Sequence, residues 1–323
     1  MSEVVVSVRN LQTTFHTRVG PVRAVDGISY DIGKGRTLGI VGESGCGKSV
    51  ASYSLMRLIE PPGEITGGEV LLHGEDVLGL PDAQMESYRG SRMAMIFQEP
   101  MTALNPVLTI GYQMDEQIMR HTGLARKASR ERAVEMLEMV GIPSPRERYE
   151  SYPHQLSGGM RQRAMIAMAL SCEPEFLIAD EPTTALDVTI QGQILELIQG
   201  LQERLHMSVQ FITHDLGVIS EISDDVLVMY AGTACERAPT QTLIDGPRHP
   251  YTVALLESIP RLGQRASRLP AIGGMVPSLY ELPAGCPFQN RCPRVTDECR
   301  AARPSMRALA PGHEVACFNP VTA

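Results

Sequence analysis

The sequence predicts an α/β fold: a mostly parallel sheet, an antiparallel β layer, an inserted helical subdomain and a small loop-rich module at the end. Three observations carry this. Short apolar runs at Thr37–Val41, Phe176–Asp180 and Val209–Thr213, with helix-compatible stretches after the first two, give the alternation of a parallel sheet covered on both faces. Between about 111 and 172 the apolar spacing turns helical. After about Gly246, prolines recurring from Pro247 to Pro287 block long helices, and four of the seven cysteines gather there.

At 323 residues, 43% of them hydrophobic, the chain has material for roughly two domains of about 150 residues each. We place the first at residues 1–245, with the helical subdomain at about 99–172, and the second at 246–323. Lys and Arg total 29 against 37 Asp and Glu, a net charge of -8 without a long basic run, which argues against nucleic acid as a partner. No apolar stretch approaches the roughly 20 residues of a spanning helix. The start, Met1-Ser2-Glu3-Val4-Val5-Val6, lacks the basic region and cleavage site of a secretory signal, so the expected location is cytoplasmic and any membrane role peripheral.

In chain order, Val4–Val8 is β-branched, and turn signals stand at Gly20-Pro21, Asp26-Gly27 and Gly33-Lys34-Gly35, so residues 1 to about 35 read as the antiparallel layer. Thr37–Val41 reads as a strand, Gly42–Ser49 as a glycine loop and Val50–Ile59 as a helix. The helical pattern through Val134, Leu137, Met139 and Val140 ends near Gly141-Ile142-Pro143. Ile190–Leu205 reads as the helix between the last two strands.

The chemistry starts at Gly42-Glu43-Ser44-Gly45-Cys46-Gly47-Lys48-Ser49, which fits G-x-x-x-x-G-K-[S/T] in the required setting, after a strand and before a helix opening at Val50. Backbone N–H groups there can cradle phosphates at a helix start, Lys48 can pair with the β and γ oxygens, and Ser49 can ligate Mg²⁺. The motif in this setting resembles that of P-loop NTPases, a resemblance that implies a RecA-like core. Cys46 is a bystander in this reading. Asp180 ends the run Phe176-Leu-Ile-Ala, where a carboxylate would hold Mg²⁺ through water, and Glu181 beside it can polarise the attacking water. Ser157-Gly158-Gly159 opens a second helix with Ser157 as N-cap. One active site does not need two phosphate-binding helix starts, so this one serves a nucleotide held by another protomer, or is simply a well-capped helix.

Taken in order, Gly42–Ser49, Gln98, Leu156–Gln162, Phe176–Glu181, Ala185-Leu186-Asp187 and His214 resemble an ABC-transporter ATPase. The resemblance implies that Gln98 contacts Mg²⁺ or water, that Ser157, Gly158, Gly159 and Gln162 form the signature facing ATP in the opposite subunit, that Asp187 is the D-loop residue and that His214 senses the γ-phosphate. An aromatic residue stacks on adenine in this family; Phe15 is the candidate, with an ordinary core role nearly as close. No Asn-Lys-x-Asp guanine-reading segment stands in the sequence, so adenine is favoured.

Glu99–Pro106, Tyr152–Ser157, Asp187–Gln191 and Arg248-His-Pro-Tyr-Thr252 resemble the dipeptide and oligopeptide importer ATPases over essentially the whole chain. That resemblance implies ATP and Mg²⁺ as cofactors, a second ATPase subunit as heterodimer partner, two transmembrane permease subunits, an extracytoplasmic peptide-binding protein, and a place on the cytoplasmic face of the inner membrane. Another cargo, such as nickel or glutathione, is the near alternative. A non-transport ATPase with a redox or interaction module is the distant one.

Cys286, Cys292, Cys299 and Cys317 are separated by five, six and seventeen residues, unlike the paired C-x₂-C of structural zinc. In a reducing cytosol four clustered thiols suggest metal rather than disulfides. Four thiolates can hold a [4Fe-4S] cluster. The importer resemblance implies one at these cysteines, with Zn²⁺ second and free thiols the remaining alternative.

Overall fold

The computed structural model describes residues 3–98, 103–184, 187–259 and 272–322. Contacts divide the chain into two compact units, the first built mainly from Gly79–Gln210 and the second from Val6–Ile32, Arg36–Leu78 and Phe211–Ala323.

The second unit begins with β1 (Val4–Thr17), β2 (Gly20–Gly33), β3 (Thr37–Val41), α1 (Lys48–Leu55), β4 (Gly63–Leu72) and β5 (Glu75–Asp76). β2, β1, β4 and β5 form a four-stranded sheet in that order, with Val6 opposite Leu72 and Phe15 opposite Gly63 in antiparallel register. This is the expected antiparallel layer, extended by the unforeseen β4 and β5. Every residue of β3 is buried, and a Cβ on its Gly39 would lie 2.6 Å from both Ile219 Cδ1 and Ser223 Oγ, so those side chains would have to shift. α1 stops at Leu55 rather than Ile59, because Arg57 takes a positive φ of 50° and Pro61 and Pro62 lie just ahead.

The first unit contains α2 (Asp82–Tyr88), β6 (Met93–Ile96), α3 (Ile110–Thr122), α4 (Arg126–Met139), α5 (Pro145–Tyr149), a single 3-10 turn at Pro153–Gln155, α6 (Gly158–Leu170), β7 (Phe176–Asp180) and α7 (Val188–Leu205). β6 and β7 are fully buried and parallel, Met93 opposite Phe176 and Ile96 opposite Ala179. Thr109 caps α3 by accepting the Tyr112 N–H. A buried carboxylate, Asp115, ties three helices together: it accepts from Ser129 Oγ of α4 at 2.5 Å and from Tyr149 Oη of α5.

β8 (Ser208–Thr213) leads the chain back into the second unit, which is completed by α8 (Leu216–Ile222), β9 (Asp225–Tyr230), β10 (Thr233–Pro239), α9 (Thr240–Asp245), α10 (Pro250–Glu257), α11 (Asp297–Ala301), β11 (Arg307–Ala310) and β12 (His313–Val315). Within this unit the strands follow the order β11, β12, β10, β9, β3, with β3 parallel to β9 and Val41 opposite Val228. The region after Gly246 is therefore more regular than its prolines suggest. Pro250 sits at the start of α10, where its missing N–H is harmless, and Pro311-Gly312 turns β11 into β12.

Candidate functional site

The glycine loop Gly42–Ser49 leaves β3 and opens α1, as its sequence requires. Gly42 and Gly47 have φ of 157° and 101°; a Cβ on Gly42 would lie 2.2 Å from the Met229 carbonyl oxygen, and one on Gly47 would lie 2.3 Å from that of Ala24. Gly45, at φ 79°, has open space around it. Two glycines are thus fixed by close backbone approach and one by conformation alone. Lys48 is buried, and its Nζ donates to the carbonyl oxygens of Gly42 at 2.7 Å and Glu43 at 3.2 Å. Ser49 is half-buried and Ser44 exposed. Cys46 is fully buried, which raises its thiol pKa.

In the first unit, Asp180 closes β7 with no exposed surface. Glu181 follows at a φ of +45°, a left-handed position a non-glycine residue rarely takes. Its Oε2 accepts from Gln98 Nε2 at 3.1 Å and from Thr184 Oγ1 at 2.9 Å. Gln98 and Glu181 are thus brought together as direct hydrogen-bond partners. Sequence reasoning does not reach Thr184; a threonine three residues past a carboxylate carries no signal by itself.

Ser157 caps α6 by accepting the Met160 N–H at 3.3 Å. Gly158 is exposed with nothing near it, and Gly159 faces Ile190. Gln162 behaves differently from its three neighbours: it is 1% exposed, and its Nε2 donates to the Pro182 carbonyl at 2.5 Å, inside its own unit. Asp187, exposed, stands at the N-cap position of α7 without a side-chain cap bond. Glu99 to Thr102, Ala185 and Leu186 lie outside the described residues.

In the second unit, His214 is exposed between β8 and α8, whose cap is the neighbouring Asp215, accepting the Gly217 N–H at 2.7 Å. Phe15 is half-buried on β1; its ring lies across Gly63, where a Cβ would stand 2.7 Å from Cε1.

Cys286, Cys299 and Cys317 are buried and Cys292 half-buried. Cys286 and Cys299 are joined by a 2.7 Å backbone bond. Burial raises the thiol pKa of Cys286, Cys292 and Cys317, the last to about 11; backbone N–H donors to the sulfurs act against the rise, and the neighbouring cysteines add to it. Among the described residues, however, no group of three or more His, Cys, Asp or Glu is placed to hold a metal ion.

A family model described as ABC transporter matches residues 25–184. A second, described as the C-terminal region of oligopeptide/dipeptide transporters, matches residues 235–299. Over 317 residues the chain is 50% identical to the dipeptide transport ATP-binding protein DppD of Bacillus subtilis (strain 168), an alignment covering 98% of this chain and 95% of that one. The chain belongs to the ABC transporter ATPases. Another of these ATPases, DppD of Escherichia coli (strain K12), is 46% identical over 315 residues, with 98% and 96% covered. Among solved structures, the dimeric bacterial ABC transporter cassette MJ0796 matches with a TM-score of 0.65 at 26% identity, over 73% of this chain and 98% of that one. A post-hydrolysis dimer of MJ0796 bound to ADP and Pi matches with a TM-score of 0.66 at the same identity and coverage. No described helix of this ABC ATPase is long and apolar enough to cross a membrane.

Proposed function

We propose that this ABC ATPase is the ATP-hydrolysing subunit of an importer for dipeptides or oligopeptides, working beneath separate permease subunits on the cytoplasmic face of the membrane. The observation that carries the reading is the near full-length identity to dipeptide transport ATP-binding proteins, reinforced by the C-terminal match.

The phosphate loop holds the β and γ phosphates with amides from Ser44 to Val50, the Glu43 N–H being taken by Tyr251 Oη, and Lys48 turns from its loop carbonyls to the phosphoryl oxygens. Phe15 packs against adenine. Ser49, Asp180 and Gln98, oxygen donors suited to a hard cation, would hold Mg²⁺ directly or through water, and the ion would supply charge neutralisation on the transferred phosphoryl. Glu181 accepts the proton of, or polarises, the attacking water while Gln98 and Thr184 orient its carboxylate. His214 meets the γ-phosphate. Ser157, Gly158 and Gly159 contact ATP held by the second ATPase, and Asp187 lies at that junction, so ATP binding favours the closed dimer and hydrolysis releases it.

Domains at 1–245 and 246–323, with a helical subdomain at about 99–172, are the organisation proposed. The finer reading of the cysteines is a [4Fe-4S] cluster, Zn²⁺ second. It is supported by thiol type and number and by N–H donors to the sulfurs of Cys286, Cys292 and Cys317. Their placement does not support it, and no catalytic step runs through it. Iron, sulfide and zinc per chain after anaerobic purification, for wild type and Cys292→Ser, test it: about four irons, lost on mutation, supports a cluster. Zinc or no metal removes it.

The function itself is tested by assembling the chain with its permeases and binding protein in vesicles and following peptide uptake with ATP turnover. Uptake of nickel or glutathione in place of peptide would overturn the cargo assignment.

A further inference from the structure

Glu43, second residue of the phosphate loop, is gripped by two residues more than two hundred positions away. Arg291 meets its carboxylate as a fork, Nη1 to Oε2 at 2.7 Å and Nη2 to Oε1 at 2.9 Å. Tyr251 Oη accepts the Glu43 backbone N–H at 2.9 Å. Both residues lie in the same compact unit as the loop.

Neither partner is a loose surface group. The Arg291 side chain is only 4% exposed, and its Nε donates to the Gly273 carbonyl at 2.9 Å while Nη1 also reaches Tyr230 Oη at 3.3 Å. The guanidinium carbon sits 5.7 Å and 5.8 Å from the ring centroids of Tyr230 and Phe288. A buried cation is tolerated only when paired and hydrogen-bonded, and Glu43 supplies the charge for it. Tyr251 has no exposed surface and meets Tyr230 edge-on, centroids 4.7 Å apart. Packing thus fixes both donor and acceptor before they reach the loop.

Glu43 also connects to the catalytic lysine, since its carbonyl accepts from Lys48 Nζ at 3.2 Å. One residue therefore links Lys48, through its carbonyl, to Tyr251 through its N–H and to Arg291 through its carboxylate. A phosphate cradle acts through the direction of its amides, and holding them in advance is what makes it effective.

We propose that Tyr251 and Arg291 are positioning residues for the nucleotide reaction, fixing Glu43 so that the C-terminal region preorganises the phosphate loop for ATP. The proposal rests on the reading of Gly42–Ser49 as the ATP loop. A purely structural role would instead only anchor the C-terminal region.

The test is Mg²⁺-ATP titration of the full chain, with turnover and thermal melting, for wild type, Arg291→Lys, Arg291→Ala, Tyr251→Phe, Glu43→Gln and the double variant Arg291→Ala/Glu43→Gln. Tyr251→Phe keeps the ring and removes only the acceptor, so it preserves packing. The expected result is a rise of roughly tenfold in Kd and KM for Arg291→Ala, with kcat moving less. Arg291→Lys should regain part of the affinity, as charge without the fork. Acting through Glu43, Arg291→Ala should add nothing in the Glu43→Gln background. Unchanged ATP affinity in the folded Tyr251→Phe and Arg291→Lys proteins, whatever their melting temperatures, would overturn the proposal, as would multiplying effects in the double variant. Lys48→Ala separates the two layers: retained ATP binding there would defeat the loop reading itself, whereas loss there with normal Arg291 variants would defeat only the positioning role.

Discussion

Gln98 Nε2 donates to Glu181 Oε2 at 3.1 Å, linking the second residue after β6 to the first after β7. The two strands are parallel neighbours, so their ends emerge side by side, and residues 83 positions apart become partners. Thr184 Oγ1 donates to the same oxygen at 2.9 Å. The carboxylate is thereby aimed rather than free to turn.

Glu181→Gln should therefore keep shape and ATP affinity while turnover falls by roughly 10² to 10⁴, the usual contribution of a positioned base. Equilibrium binding and phosphate release, measured on one preparation, check this; unchanged turnover would remove Glu181 from the reaction.

Gly47→Ala and Gly45→Ala should differ. Both positions have positive φ, but only at Gly47 would the new Cβ meet backbone, 2.3 Å from the Ala24 carbonyl oxygen. Gly45→Ala should cost about 1 kcal/mol from conformation alone, and Gly47→Ala roughly 2 kcal/mol or more with loss of ATP binding. Urea unfolding and ATP titration of the pair measure the difference.

The strand-loop-helix around Gly42 was legible because its constraint is local: glycine spacing, a buried apolar run before it and a helix after it. Asp180 and Glu181 were legible from the run that ends in them. What the residues do to one another was not. The Arg291 fork on Glu43 pairs positions 248 apart, and no local pattern marks an arginine for a distant carboxylate. Gln162 reads as part of the signature facing ATP on the opposite subunit; the bond of its amide to the Pro182 carbonyl has no local mark, because it exists only once α6 packs beside the end of β7. β11 and β12 were missed because strands of four and three residues after a proline-rich stretch show little alternation.

Stability should fall on acidification through His249. Burial among Tyr251 and Phe288 lowers its pKa from 6.5 to about 4. The unfolded chain therefore binds a proton between those values that the folded chain refuses. The contribution is full above about pH 6.5 and lost as pH falls towards 4, on the order of 3 kcal/mol across the window. His249 also caps α10 by accepting the Tyr251 N–H at 3.0 Å, so His249→Asn keeps a capping group without the titration. Urea midpoints from pH 7.5 to 4.5 should slope less in His249→Asn than in wild type.

Ser157→Ala should remove the α6 cap at a cost of about 1 kcal/mol. If Ser157 faces ATP on the opposite subunit, turnover by the assembled pair falls further than stability explains, while ATP affinity of the isolated chain holds. Melting curves and turnover of the two preparations separate these effects.

The central claim is that ATP turnover by this chain drives peptide uptake. The most direct measurement is radiolabelled dipeptide accumulation in vesicles carrying the full assembly with ATP on the cytoplasmic side, comparing wild type with Glu181→Gln. We expect accumulation that tracks phosphate release and disappears in Glu181→Gln. Peptide accumulation that persists in Glu181→Gln, or ATP turnover that peptide and its binding protein leave unchanged, would contradict the account.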